Sequence, residues 1–167
     1  MAAESHIARQ VVGYIESLKP EIAAKYPHPW SVSLKHGVRQ KAKEIKNFEI
    51  VVIPVSRNYD VKRETRITLT NISAIPVVFL RNLTHFETDN SRNMEIDLLS
   101  DVVEFLLRKL DVFRPVNPPG VRGLEVTDVD GEVNYAMETL EKENVFAAVL
   151  LPVFTYKFDQ REMGATL

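Results

Sequence analysis

The side chains that could carry out chemistry are few and widely spaced in this chain. The histidines, His6, His28, His36 and His85, include no pair four residues apart and no carboxylate at the spacing of metal ligands. The chain has no cysteine, which excludes disulfides, thiolate nucleophiles and cysteine metal sites. From these residues we expect neither a metal site nor a cofactor.

Two carboxylates, Asp97 and Asp101, fall on one face of a predicted helix, as the acid and base of an enzyme could. Glu104 and Arg108 continue the same line, and such a row is typical of a solvated or ion-paired helix face. The sequence contains no glycine-rich phosphate-binding motif and no Gly-x-Ser-x-Gly motif. We therefore expect that the protein is not an enzyme.

The composition is that of an ordinary globular protein, with 45% hydrophobic and 26% charged residues among 167. This length predicts a single domain, residues 1–167, with a frayed, flexible tail at 160–167. The net charge of −2, and a basic segment at 39–46 without interleaved aromatics, argue against sequence-specific nucleic-acid binding. Because no apolar run could cross a bilayer and no secretory signal is recognisable, we expect an intracellular protein without a membrane partner.

The elements that must position any site follow from the periodicity of apolar residues. Helical spacing predicts amphipathic helices over 5–18 and 94–111 and a short helix near 135–143. Alternating or continuous apolar runs predict strands at 32–34, 48–55, 65–70, 76–80, 124–129 and 145–158. Polar loops are expected at 57–64 and 85–93, and a turn at Asp130-Gly131. This order predicts an α+β fold: a mainly antiparallel or mixed sheet with the two main helices packed on one face.

Two of these elements carry more apolar surface than a small monomer needs. At about 100° per residue, the apolar arc of helix 94–111 is roughly 220° wide, about double that of an ordinary surface helix. Such a helix is either covered on several sides by its own fold or buried on one flank by another subunit. In strand 145–158 the odd and the even positions are both apolar for most of the length, so both faces must be covered. Pro152 implies a sheet edge or a bulge there. We expect a neighbouring subunit to cover part of this surface, and we assign the subunit interface to Leu98, Phe105, Leu150, Phe154 and Tyr156.

Three segments, in this order along the chain, resemble the tail terminator proteins of long-tailed bacteriophages of the lambda type. The segment 47–57, NFEIVVIPVSR, is similar to that family's strand leading into an extended hairpin. The segment 97–110, DLLSDVVEFLLRKL, is similar to its main helix, and 140–156, LEKENVFAAVLLPVFTY, to its closing helix end and long last strand. With the N-terminal helix, the resemblance covers most of residues 5–158.

The resemblance implies a structural virion protein that forms a homo-oligomeric ring, usually a hexamer. Such a ring caps the finished tail tube, stops its polymerisation and offers the surface to which the neck of the head binds. It implies three partners: further copies of the chain, the major tail tube protein and a neck or head-completion protein. It also implies a place in the tail and neck region of the virion, reached by assembly in the host cytoplasm.

Two other classes of function are compatible with the residues. A neck or head-completion adaptor protein shares the logic of ring assembly. A small dimeric α+β ligand-binding domain would account for the same composition and element order. Tail tube and tape-measure genes beside this one would favour the terminator over the adaptor, and the oligomer mass would separate a ring from a dimer.

The segment Arg57–Arg66 is the best candidate for contact with the tail tube. It holds four basic residues against two acidic ones in a slightly acidic protein, and it joins two predicted strands. Because it is too polar for the core, we expect it to project as a hairpin tip or loop. The residues assigned to tube binding are Arg57, Tyr59, Lys62, Arg63 and Arg66.

Overall fold

The computed structural model describes residues 3–37, 44–54, 59–63, 68–132 and 144–159. In this part of the chain the helices are α1 (Ala3–Ser17), α2 (Lys19–Lys25) and α3 (Asp89–Asp111). The strands are β1 (Trp30–Leu34), β2 (Phe48–Val52), β3 (Tyr59–Arg63), β4 (Thr68–Ala74), β5 (Val77–Asn82), β6 (Val121–Glu132) and β7 (Val145–Asp159). These strands form one mixed sheet, which confirms the predicted α+β fold.

Strand β7 is the centre of the sheet. Its first part pairs antiparallel with β5 and its last part with β4, so β4 and β5 act as one long interrupted strand. On their other side β5 pairs with β2 and β4 with β3, while β1 lies parallel to β2. On the other side of β7 lies β6. Among the described strands, β1, β3 and β6 are therefore edges.

Pro152 was predicted to mark an edge or a bulge. The edge is wrong, whereas a register shift of β6, between its pairs with Phe154 and Val153, does lie next to Pro152. It lies in the central strand and pairs with Val129 of β6. At this point β7 passes from β5, whose pairing ends at Leu150, to β4, whose pairing begins at Val153. The missing N–H of proline falls in that gap, where the ladder needs no donor. The Pro152 carbonyl still accepts a hydrogen bond from the Ile75 N–H at 3.1 Å.

The helices begin where capping chemistry allows. The predicted helix at 5–18 corresponds to α1. Pro20, a residue type that usually ends a helix, does not end the helical structure here. It lies in the first turn of α2, where a backbone N–H has no intrahelical acceptor to lose. The long helix α3 begins at Asp89, because the Thr88 side chain caps the Ser91 N–H at 3.1 Å. The loop predicted at 85–93 is thus wrong from Asp89 onward.

Two further predictions about local structure are wrong. The loop expected at 57–64 contains β3, whose residues pair antiparallel with β4. The turn expected at Asp130-Gly131 is absent from this part of the described chain, since both residues continue the ladder between β6 and β7. The predicted helix at 135–143 and the tail at 160–167 lie outside the described residues.

The main core lies between the helices and one face of the sheet, called here the inner face. Ile7, Val11 and Ile15 of α1 and Leu99, Val102 and Leu106 of α3 are fully buried in it. From the sheet, Phe48, Phe79 and Phe154 are equally buried. Burial of each such side chain stabilises the fold by about 1.5–3 kcal/mol.

Candidate assembly surface

The alternation of β7 assigns its two apolar rows to opposite faces of the sheet. The even positions Phe146, Ala148, Leu150, Phe154 and Tyr156 are all buried in the main core. Three of the predicted interface residues, Leu150, Phe154 and Tyr156, are at most 1% exposed. Their assignment to a subunit interface is therefore wrong, because the chain's own helices already cover them.

The odd row of β7 belongs to the opposite face, called here the outer face. Neighbouring strands add to it, since Val78 of β5 lies opposite Val149 and Ala74 of β4 lies opposite Val153. At one end Ile45 covers Leu80 and Val145 in a small second cluster. The remaining apolar side chains of this face are partly exposed: Ile72, Ala74, Val78, Ala147, Val149, Leu151 and Val153.

One margin of the outer face is acidic. Glu125, Asp128 and Asp130 of β6 are exposed, and their register partners on β7 are Thr155, Val153 and Leu151. Register partners project on the same face of a sheet, so the three carboxylates border the apolar row. An apolar centre with a charged margin is the usual anatomy of a protein–protein interface. The sequence shows that both the odd and the even positions of β7 are apolar, but this pattern alone does not tell which of the two rows the helices leave exposed.

On α3 the other predicted interface residues are partly buried. Leu98 and Phe105 pack against the main core. Two ammonium groups lie over the Phe105 ring, with Lys25 Nζ at 5.3 Å and Lys109 Nζ at 5.6 Å from its centroid. The wide apolar arc is thus covered mostly by the chain itself, and the interface role of Leu98 and Phe105 stays a prediction.

Three of the five predicted tube-binding residues lie on one arm of a hairpin. Tyr59, Lys62 and Arg63 belong to β3, where they lie opposite Ser73, Thr70 and Leu69 of β4. This corrects the expected loop: the three residues lie along a strand that forms one arm of the hairpin. Arg57 and Arg66 lie outside the described residues.

The carboxylates singled out as an acid–base pair are placed on the solvent side of α3. Asp97 and Asp101 are exposed, and beside them Arg108 Nη2 donates to Glu104 Oε1 at 2.8 Å. This confirms the interpretation of the row as a solvated, ion-paired face. Among the described residues no cluster of three or more potential metal ligands occurs, and none of their helices is long and apolar enough to cross a membrane.

A buried polar cluster, which the sequence analysis did not identify, joins α2, α3 and β5. Glu95 is only 4% exposed, and its Oε1 accepts hydrogen bonds from the Tyr26 hydroxyl at 2.5 Å and from Arg81 Nε at 3.2 Å. Burial, together with the carboxylate of Glu95, raises the pKa of Tyr26 far above its ordinary value. Each of the three side chains has a hydrogen-bond partner within the cluster, so the cluster holds these elements in register.

A second apolar feature is the connection between α3 and β6. Val112 and Val116 are 66% and 74% exposed. The loop that carries them is held firmly: the Gln10 side chain donates to the Val116 carbonyl and accepts from the Val116 N–H, both at 2.7 Å. The ring of Phe113 stacks on Tyr14 with centroids 4.5 Å apart. The exposed valines are thus displayed on an ordered loop.

No family model matches the chain, and no curated protein matches its sequence. The fold and surface define an α+β protein whose sheet has helices on one face and partly exposed apolar residues on the other. What the chain does must therefore be inferred from that surface.

Proposed function

We propose that this chain is a structural virion protein, a phage tail terminator that works as a homo-oligomeric ring, a hexamer in the form that the family resemblance implies. The observation that carries the proposal is the outer face of the sheet, with seven apolar side chains left partly exposed. A contiguous apolar surface of this kind, with an acidic margin, favours burial against another protein surface. A second copy is the natural occupant in a protein whose sequence order resembles ring-forming terminators.

The ring would cap the tail tube, stop its growth and present a surface to the neck or head-completion protein. We assign the tube contact to the hairpin of β3 and β4, because β3 belongs to the sequence segment 57–66, which is rich in basic residues. Such charge would steer the ring to an acidic margin of the last tube ring. The chain would then reside in the tail and neck region of the virion after assembly in the host cytoplasm. The proposal assigns it no reaction.

The test of this function is a charge placed on the outer face. Val149→Lys puts an ammonium group in the middle of the apolar row, where a partner surface would have to desolvate it. The matched control is Val112→Lys, which makes the same change at an exposed position of the α3–β6 loop. We expect wild type and control to form rings on tails of the phage that encodes the chain, seen by electron microscopy, and Val149→Lys to form none.

Two results would contradict the proposal. If wild-type protein stayed monomeric both in concentrated solution and on isolated tails, the chain could not act as a ring. If rings formed from folded Val149→Lys protein as they do from the control, the outer face would not be the contact. Rings found at the head vertex and absent from finished tails would favour the neck adaptor instead.

A further inference from the structure

Two of the edge strands, β1 and β6, differ in how well their free edges are protected. The free edge of β6 carries several of the common obstacles to further pairing. It has two register shifts, it contains Gly123 at φ 63° and three exposed carboxylates, and its Leu124 N–H is already bound by the Asn117 side chain at 2.9 Å. No other strand could pair regularly with it.

Strand β1 has none of these obstacles. Its sequence, Trp-Ser-Val-Ser-Leu, contains no charge, proline or glycine, and among the described strands it pairs only with β2, without a register shift. The Lys35 N–H donates to the Val52 carbonyl at 3.0 Å, so the odd-numbered residues direct their backbone groups toward β2. By alternation, Trp30, Val32 and Leu34 direct their N–H and C=O groups to the free edge.

We propose that β1 is a dimerisation edge, at which two copies of this chain pair antiparallel about a two-fold axis through Val32. The strand matches itself in this arrangement. Val32 lies opposite Val32 of the partner subunit and exchanges two hydrogen bonds with it, while Trp30 lies opposite Leu34 of the partner subunit. Ser31 then faces Ser33 of the partner subunit. The two sheets become one continuous sheet across the axis.

The groove beside β1 fits the same occupant. It has a volume of about 420 Å³ and is lined by Trp30, Ser31 and Val32 together with Glu16 and Lys19 from the end of α1 and the start of α2. The groove thus carries one acidic and one basic side chain, both exposed. A two-fold axis can bring Glu16 of one subunit toward Lys19 of the partner subunit, so the groove is complementary in charge to itself. A strand from an unrelated chain would have no such match built in.

This contact is separate from the proposed ring. Pairing at β1 is isologous, whereas a cyclic ring requires a heterologous contact, so the dimer forms whether or not the chain caps a tail. The outer-face variant Val149→Lys should therefore leave the β1 dimer intact. The two contacts can be tested separately, because Val149→Lys should change only the mass of the ring and a variant at β1 only the mass of the dimer.

The test is Val32→Pro, which removes the N–H at the two-fold axis. Because that N–H points away from β2, the change leaves the ladder between β1 and β2 intact, and proline is tolerated at such an edge position. Val32→Ala is the matched control, since it trims the same side chain but keeps the N–H. Sedimentation velocity over a wide concentration range should show a dimer for wild type and control. For Val32→Pro the dissociation constant should rise about tenfold or more, because two hydrogen bonds are lost.

A charge swap tests the groove without changing the strand. Glu16→Lys should weaken the dimer, and adding Lys19→Glu should restore it, because the pairing of opposite charges returns across the axis. Amide exchange should show that the Val32 N–H becomes protected as concentration rises. A wild-type protein that is monomeric at every concentration would overturn the proposal. A dimer that is weakened by neither Val32→Pro nor Glu16→Lys would also overturn it. If circular dichroism shows that Val32→Pro does not fold, the charge swap and amide exchange decide the question.

Discussion

At the scale of single residues, the buried cluster of Tyr26, Glu95 and Arg81 decides how the helices are fixed to the sheet. A carboxylate that is 4% exposed is costly unless it is fully hydrogen-bonded. Here a phenol and a guanidinium group satisfy it, and Arg81 Nη1 also donates to the Lys46 carbonyl at 2.9 Å. The Glu95 side chain therefore connects α3 to β5 and to the residue that follows α2, and Arg81 extends the cluster to Lys46, two residues before β2.

Replacement of Tyr26 by phenylalanine should lower the free energy of unfolding by about 1–2 kcal/mol at neutral pH, since Glu95 loses a buried hydrogen bond. It should also change the alkaline limb of the stability profile. The folded-state pKa of Tyr26 is raised by burial above its unfolded value of about 10. Its contribution is thus fully present below about pH 10 and is lost as the pH rises further toward the folded-state pKa.

Urea denaturation at neutral pH and at several values above pH 10 measures both effects. Wild type should lose stability over this alkaline range more steeply than Tyr26→Phe. Some slope should remain in the variant, because burial also raises the pKa of Tyr156. Tyr14→Phe is the control for loss of a hydroxyl, since Tyr14 donates to the Lys109 carbonyl at 3.1 Å in a less buried place. Equal slopes for wild type and Tyr26→Phe would show that the phenol is not linked to folding.

At the scale of elements, tight packing between β6, β7 and α3 contrasts with an open face on α1. A Cβ atom on Gly131 would lie 2.7 Å from Leu150 Cδ2 and 2.8 Å from Leu107 Cδ1. A Cβ atom on Gly13, in the middle of α1, would meet nothing within 4 Å. A side chain added at position 131 would therefore clash with its neighbours, whereas one added at position 13 would have room.

Gly131→Ala should destabilise the protein by about 1–3 kcal/mol, because the methyl groups of the buried Leu150 and the partly buried Leu107 must shift. Gly13→Ala should stabilise it by about 0.5–1 kcal/mol, because alanine loses less backbone entropy in a helix. Thermal and urea denaturation of the two variants side by side measures the difference. A Gly131→Ala protein as stable as wild type would mean that β6 can move away from α3 at little cost.

The same elements show what periodicity could and could not predict. The long strand β7 and the amphipathic helix α1 were predictable, since apolar side chains mark their buried faces at the period of each element. Strand β3 was not, because the segment that contains it is rich in charged side chains and its alternation is limited to Tyr59 and Val61. The beginning of α3 was missed for a similar reason: its first turns are exposed and polar. Because both rows of β7 are apolar, only the positions of α1 and α3 determine which row is buried.

At the scale of the whole molecule, the sheet is covered on its inner face by helices and ends in a hairpin at one side. The outer face, the β1 edge and the β3–β4 hairpin are three different surfaces. They could therefore serve three contacts at once without competing: a ring neighbour, a two-fold partner and the tail tube. The first two rest on side chains and backbone groups already described, and the third rests on charge along the hairpin.

If the proposed contact with the tail tube exists, it should depend on the basic residues of segment 57–66. The triple variant Arg57→Glu, Lys62→Glu, Arg63→Glu reverses three of the four basic residues in Arg57–Arg66. If these residues dock on an acidic margin of the tube, the variant should yield tails of uncontrolled length that do not join heads, as scored by electron microscopy. Attachment of the wild type should weaken with added salt, because exposed charges are screened beyond about 8–10 Å at physiological ionic strength.

The control must have the same net charge as the triple variant but leave the residues of segment 57–66 unchanged. Arg9→Glu, Arg108→Glu, Arg114→Glu reverses three exposed arginines elsewhere on the chain, so it separates a local contact from a general change of charge. Tails of normal length that join heads are expected from this control. The hairpin would not be the specific tube contact if its variant also gave normal tails that join heads, or if both variants failed alike. The next surface to test would then be the α3–β6 loop, on which Val112 and Val116 are exposed.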